Sequence, residues 1–115
     1  MAADATVDIV VNQKASFQVT FYVRNAANTG ALDLSGYTHT AKYKTDYNSP
    51  DSSAGSFTTI TTNAANGEIT MSLTPEQTAN LQLTKYVYDL SIIQTAGGFK
   101  TRIVEGVMRV SGGVA

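Results

Sequence analysis

The sequence contains no cysteine and no tryptophan. Without thiols there is neither a disulfide framework nor a thiolate that could bind metal or act as a nucleophile. That absence suits folding in a reducing cytoplasm and argues against the small, disulfide-stapled secreted class. Charge is scarce too: Asp, Glu, Lys and Arg make up 15% of the chain, with a formal net charge of -1. The eight Lys and Arg are spread along the whole length with no run of them, so no nucleic-acid partner is expected. The first ten residues, MAADATVDIV, lack a basic start and a signal-length apolar run, and no later segment approaches a bilayer span. A soluble chain with no export address and no membrane contact is the expectation.

What is present is 115 residues, enough for one domain with a real core, and residues 1–115 are read as a single β-sandwich domain. Abundant Thr, Ser, Ala, Asn and Gly give the profile of a polar, weakly charged β surface, suited to a subunit packed against neighbours. Residues 6–11 read as a first β segment. In residues 16–24, Phe17, Val19, Phe21 and Val23 alternate with Gln18, Thr20, Tyr22 and Arg24, the period-two pattern of a half-buried strand. Burying that apolar row contributes roughly 1.5–3 kcal/mol per side chain before ordering entropy is subtracted.

Residues 25–36, rich in Asn, Ala and Gly, read as a loop in which Leu32 and Leu34 form a short apolar latch. Residues 37–47 form a third strand, with His39, Ala41 and Tyr43 on one face and Thr38, Thr40, Lys42 and Lys44 on the other. DYNSPDSSAG, residues 46–55, is the clearest loop signal, because its residues favour turns over ladders. Residues 57–62 and 68–73 are expected to pair across NAANG, with Asn66 and Gly67 taking the positive φ angles of a tight hairpin and Ile69, Met71 and Leu73 facing inward. A short helical turn is predicted over residues 75–81. Thr74 caps it, Pro75 occupies the first helical position, Gln77 completes a capping box and Leu81 plugs the core. Tyr86, Tyr88, Leu90 and Ile92 make the next inward row. Gly97 and Gly98 turn the last hairpin, and Val104, Met108 and Val110 share a face with Gly106, where the missing Cβ leaves room for a neighbouring ring. These elements predict an all-β fold, an immunoglobulin-like antiparallel β-sandwich of about seven strands, with a closed barrel as the alternative.

Chemistry-bearing residues are few. His39, the only histidine, has no acidic residue close by in sequence and reads as an ordinary strand residue. Asp46, Asn48, Asp51 and Ser52 put hard oxygens in one loop, but their spacing does not match an EF-hand, so a solvated turn is expected. Asp89 and Glu105 alternate against apolar rows and are expected to face outward, near Lys85 or Arg102, at well under about 1 kcal/mol for such a pair. No glycine pattern precedes a helix in the manner of a phosphate-binding loop. Of the six tyrosines, Tyr86 and Tyr88 are assigned to the core, while Tyr22 and Tyr47 are the expected exposed anchors. No cofactor, metal site or catalytic residue is expected.

The order LDLSGYT, then NGEITMSLTPEQTANL, then YVYDL and RIVEG, resembles small β-sandwich virion structural proteins of tailed bacteriophages, including the N-terminal domain of baseplate upper proteins. The resemblance spans about two thirds of the chain and rests on the pieces together rather than on any one. It implies a non-enzymatic structural protein, made in the bacterial host cytoplasm and located in the virion. Its partners would be other virion proteins and copies of itself, in an adaptor or decoration module on a symmetric head, neck, tail or baseplate. The candidate interface residues are Tyr22, Tyr47, Asp46, Asn48 and Asp51, together with the N-terminal segment 2–7. A carbohydrate-binding or adhesin module, using exposed tyrosines on a host-surface glycan, is the alternative.

Overall fold

The computed structural model of the protein describes residues 5–24, 30–50, 52 and 54–113. Two sheets face each other. The small sheet runs β3 (Phe17–Tyr22), β7 (Glu68–Leu73), β6 (Thr58–Asn63), all antiparallel. The large sheet runs from β1 (Ala5–Thr6) through β9 (Lys100–Ser111), β8 (Lys85–Gln94) and β4 (Tyr37–Lys44) to β5 (Gly55–Ser56). Here β2 (Ile9–Asn12) continues β1 along the same β9 partner, and both pair with it in parallel. The large sheet is therefore mixed, a departure from the all-antiparallel expectation. With β4, β8 and β9 flanked by β5 and facing β3, β7 and β6, the strand order is that of an immunoglobulin-type sandwich carrying an added edge strand.

The alternating rows meet where the periodicity places them. Ile69, Met71 and Leu90 are fully buried, and Leu73, Tyr86, Tyr88 and Ile92 are nearly so. Val23 is buried, while Phe17, Val19 and Phe21 are half-buried against the same cluster. One end of this core is aromatic. Phe57 packs on Tyr43 at 5.2 Å, on Tyr88 at 6.1 Å and on Phe17 at 6.2 Å, joining the two sheets through ring contacts.

Phe57 also corrects the sequence reading, which placed it inside one strand running to residue 62. Ser56 pairs with Lys42 in the large sheet and Thr58 pairs with Ser72 in the small one, so the chain changes sheets at Phe57. Its N–H donates to the Ala41 carbonyl at 3.0 Å while its ring turns into the core. Gly55 permits this crossing, because a Cβ there would sit 2.1 Å from the Tyr43 ring.

The hairpin between β6 and β7 differs too. Residues Ala64–Asn66 form a 3-10 turn capped by Asn63, whose Oδ1 accepts from Asn66 N–H at 3.3 Å, and within the turn Gly67 alone has positive φ (68°), so Asn66 does not share the left-handed role. A Cβ on Gly67 would lie 2.3 Å from the Val23 carbonyl, so close backbone approach as well as φ requires glycine. The Leu32 and Leu34 latch closes over this turn: Leu34 N–H donates to the Ala64 carbonyl, Leu32 N–H donates to the Val23 carbonyl, and Leu34 is buried.

Helix α1 (Pro75–Ala79) has the predicted capping box, with Gln77 N–H donating to Thr74 Oγ1 at 3.2 Å and Thr74 N–H to Gln77 Oε1 at 2.8 Å. It ends two residues sooner than predicted, and Leu81, just beyond it, is buried against the core. Thr78 ties α1 to the start of the small sheet by donating from Oγ1 to the Ala15 carbonyl at 2.9 Å. The Gln82 N–H donates to the Tyr86 hydroxyl at 2.9 Å, a tyrosine corner at the entrance to β8.

The first strand is interrupted at Val7 and Asp8 although its register on β9 is the same on both sides. Val7 N–H still donates to the Glu105 carbonyl at 2.9 Å. Its carbonyl, however, turns over Gly106 and accepts from the Tyr88 hydroxyl, and Val107 N–H donates to Asp8 Oδ1 at 3.1 Å instead. Gly106 makes room for a ring edge as expected, with Tyr88 3.2 Å from a notional Cβ, but the closer neighbour is the Val7 carbonyl at 2.0 Å. A second irregularity falls between Leu90 and Ser91, where β9 bulges and both Ile103 and Val104 are buried.

Candidate functional site

The outer surface of the large sheet carries a concavity. Outward positions alternate with the core row on each strand, so β4 contributes Thr40, Lys42 and Lys44, β8 contributes Val87 and Asp89, and β9 contributes Lys100 and Arg102. The turn after β4 brings Tyr47 and Ala54 over the β4 side, and together these residues line a groove of about 500 Å³.

Four of the eight Lys and Arg in the chain thus converge on one face, which corrects the reading of a cation distribution without a cluster. The sequence hid this because Lys42 and Lys44 lie far from Lys100 and Arg102 along the chain. Antiparallel pairing of β4 with β8 and of β8 with β9 brings them together. Asp89 and Glu105 are directly opposite each other, and both engage Arg102, with Nε 3.3 Å from Asp89 Oδ2 and an Nη 3.2 Å from Glu105 Oε1. They face outward and pair with Arg102, as expected from the alternation. Among the described residues, Lys42 and Lys100 hold no ion pair.

The loop beside the groove is built by its own polar side chains. Asp46 Oδ1 accepts from Asn48 N–H at 2.8 Å, the Asp46 carbonyl accepts from Ser49 N–H at 3.0 Å, and Lys44 Nζ donates to the Ser49 carbonyl at 3.1 Å. Asp46 and Asn48 therefore shape the turn that holds Tyr47 out, 64% exposed, at the groove. Asp51 lies outside the described residues. No group of three or more His, Asp or Glu is placed to hold a metal ion among the described residues.

Tyr22, also proposed as an anchor, is 67% exposed at the end of β3, on the outer face of the small sheet. Tyr22 and Tyr47 thus sit on opposite sheets, so they do not form one aromatic platform. Of the N-terminal segment, the described part is tied to β9 through β1 and the Val7 bonds, and residues 2–4 lie outside the described residues.

His39 has a different setting. On the inward side of β4, Nδ1 lies 2.7 Å from Thr59 Oγ1 and Nε2 lies 2.8 Å from Thr61 Oγ1, so the imidazole clasps the large sheet to β6. Burial lowers its pKa, an effect its own backbone partly offsets. Tyr88 is pushed up to about 12, chiefly by burial and then by the Asp8 charge. Both side chains join structural elements.

These features define the chain as an immunoglobulin-type β-sandwich with a cationic groove on one face. No model of a known protein family matches the sequence, and no curated protein matches it.

Proposed function

We propose that the protein is a non-enzymatic structural module of a tailed-phage virion, an adaptor or decoration subunit that binds other virion proteins in symmetric copies. The observation that carries this reading is the built outer surface of the large sheet: a groove with four cations and an exposed tyrosine, on a scaffold whose inner groups are packed and hydrogen-bonded. The sequence pieces LDLSGYT, SLTPEQTANL, YVYDL and RIVEG support it by their resemblance to such proteins. A stable contact would cover on the order of 800 Å² per partner, enough to include the groove and its bordering loop. Symmetric copies would present the same face around a ring.

The test is location. Tagged copies expressed during particle assembly are imaged on purified particles at low resolution after labelling of the tag. Density repeating with the symmetry of head, neck, tail or baseplate is the expected result. A tag recovered only in the unassembled fraction overturns the reading.

A further inference from the structure

We propose that the groove on the large sheet receives an extended acidic peptide segment of an assembly partner. This rests on the structural-module reading and names the chemistry of its contact. The groove follows β8. Lys44 is level with Val87 at one end and Lys100 with Ile93 at the other, so the cations span six residue steps of β8, about 20 Å at roughly 3.3 Å per residue. That length suits a peptide of about six residues in extended form.

Spacing and charge agree with such a ligand. Lys42 and Lys44 are two residues apart on one face of β4, about 7 Å along the strand, which is also the repeat of side chains on one side of an extended peptide. Carboxylates at alternate peptide positions therefore meet successive lysines. At the centre of the groove the charge changes sign, because Asp89 and Glu105 hold Arg102 between them. A peptide is free to place an uncharged, hydrogen-bonding residue there, whereas a phosphate backbone carries its charge at every step and meets the two carboxylates. Lys42 and Lys100, on either side of that centre, have no ion-pair partner among the described residues and are available to the ligand. Tyr47, exposed at the Lys44 side, offers an apolar anchor for the peptide end.

The experiment uses the isotope-labelled 115-residue protein, titrated by NMR with a synthetic peptide of alternating glutamate and serine about eight residues long. A heparin fragment and an oligothymidylate of similar length serve as competing probes. Expected are peptide-induced shifts at the amides of Lys42, Lys44, Asp89 and Arg102. Binding should weaken roughly tenfold in the Lys42→Ser, Lys100→Ser double variant and as the salt is raised through physiological strength. Arg109→Ser, which removes a cation outside the groove, should leave affinity unchanged. Absent shifts, shifts on another face, or a double variant that binds like the parent would each overturn the proposal. Tighter binding of heparin or oligothymidylate than of the peptide in the groove would do so as well, in favour of a glycan or a nucleic acid. Failure here leaves the imaging result intact, and failure of the imaging leaves the titration intact, so the two readings fall separately.

Discussion

The outer faces of the two sheets are built from different chemistry. On the large sheet, Lys42, Lys44, Lys100 and Arg102 surround Asp89 and Glu105. On the small sheet, the three strands carry a single charged residue, Glu68, and their outward row includes Thr20, Thr58, Thr62 and Thr70 beside the exposed Tyr22 and Ile60. There Thr70 is buried, its hydroxyl sharing hydrogen bonds with Thr20 at 3.0 Å and Thr62 at 3.4 Å. A threonine network of this kind satisfies itself. On the charged face Arg102 holds both carboxylates and Lys44 donates to the Ser49 carbonyl, while Lys42 and Lys100 hold no ion pair among the described residues. The difference is between a face whose hydroxyls bond to one another and a face that carries charge on all three of its long strands.

The largest expected effect tests whether the large sheet depends on its parallel first strand. Gly106→Ala places a methyl group against the Val7 carbonyl, at a backbone contact that cannot swing aside. A loss of about 3 kcal/mol is expected in denaturant unfolding, with faster amide exchange in β1 and β2. Gly36→Ala, where a Cβ meets nothing within 4 Å, should stay within about 0.5 kcal/mol. Equal losses in the two variants would show that the close approach is not what holds the strand.

Tyr88→Phe removes the donor to the Val7 carbonyl and should cost about 1–2 kcal/mol, since a half-buried acceptor loses its side-chain partner. The pH dependence has a definite sign. The folded pKa, about 12, lies above the ordinary value of 10.0, so the contribution is fully present below pH 10 and is lost as pH rises through the folded value. Parent and variant stabilities measured from pH 8 to 12 should therefore converge at the alkaline end; a constant gap would remove the phenol from the account.

Much of this architecture was legible because strand periodicity reports local burial. The rows through Ile69, Met71 and Leu73 and through Tyr86, Tyr88, Leu90 and Ile92 could be read directly, as could the capping box at Thr74 and Gln77. Phe57 was missed because a strand that changes sheets keeps an unbroken β-type sequence; only pairing partners reveal the switch. The Val7 interruption was invisible for a related reason, since a carbonyl has no side-chain signature. For the candidate site, the turn at Asp46 was readable from turn chemistry, whereas Tyr47 reads as the end of a strand that in fact stops at Lys44. The cation groove was not, because it depends on the register of three strands distant in sequence.

His39 links the two sheets and gives a smaller effect. His39→Ala removes both threonine contacts and should cost about 1 kcal/mol at pH 7.5. Because burial lowers the folded pKa from 6.5, the neutral ring's contribution is present above that value and is lost as pH falls through the lower folded value. The gap between parent and variant, measured by denaturant midpoints at pH 7.5 and pH 5, should narrow in acid. A gap that widens in acid would mean that the charged ring is the form the clasp prefers.

The smallest effect on stability is expected where the charged face looks most elaborate. Arg102 and its two carboxylates are partly exposed, with side-chain exposures of 43%, 37% and 29%, so water competes for every contact. Arg102→Ser should therefore change stability by less than about 0.5 kcal/mol, and added salt should erase even that. Thr70→Val on the small sheet, nearly equal in shape, should cost more, about 1 kcal/mol, because it strands two hydroxyl partners beside a buried position. If Arg102→Ser proved the more damaging of the two in matched unfolding curves, the charged face would belong to the fold and its contrast with the threonine face would disappear. If the expected order holds, the ion cluster contributes little to folding, and the threonine network contributes more than the charges do.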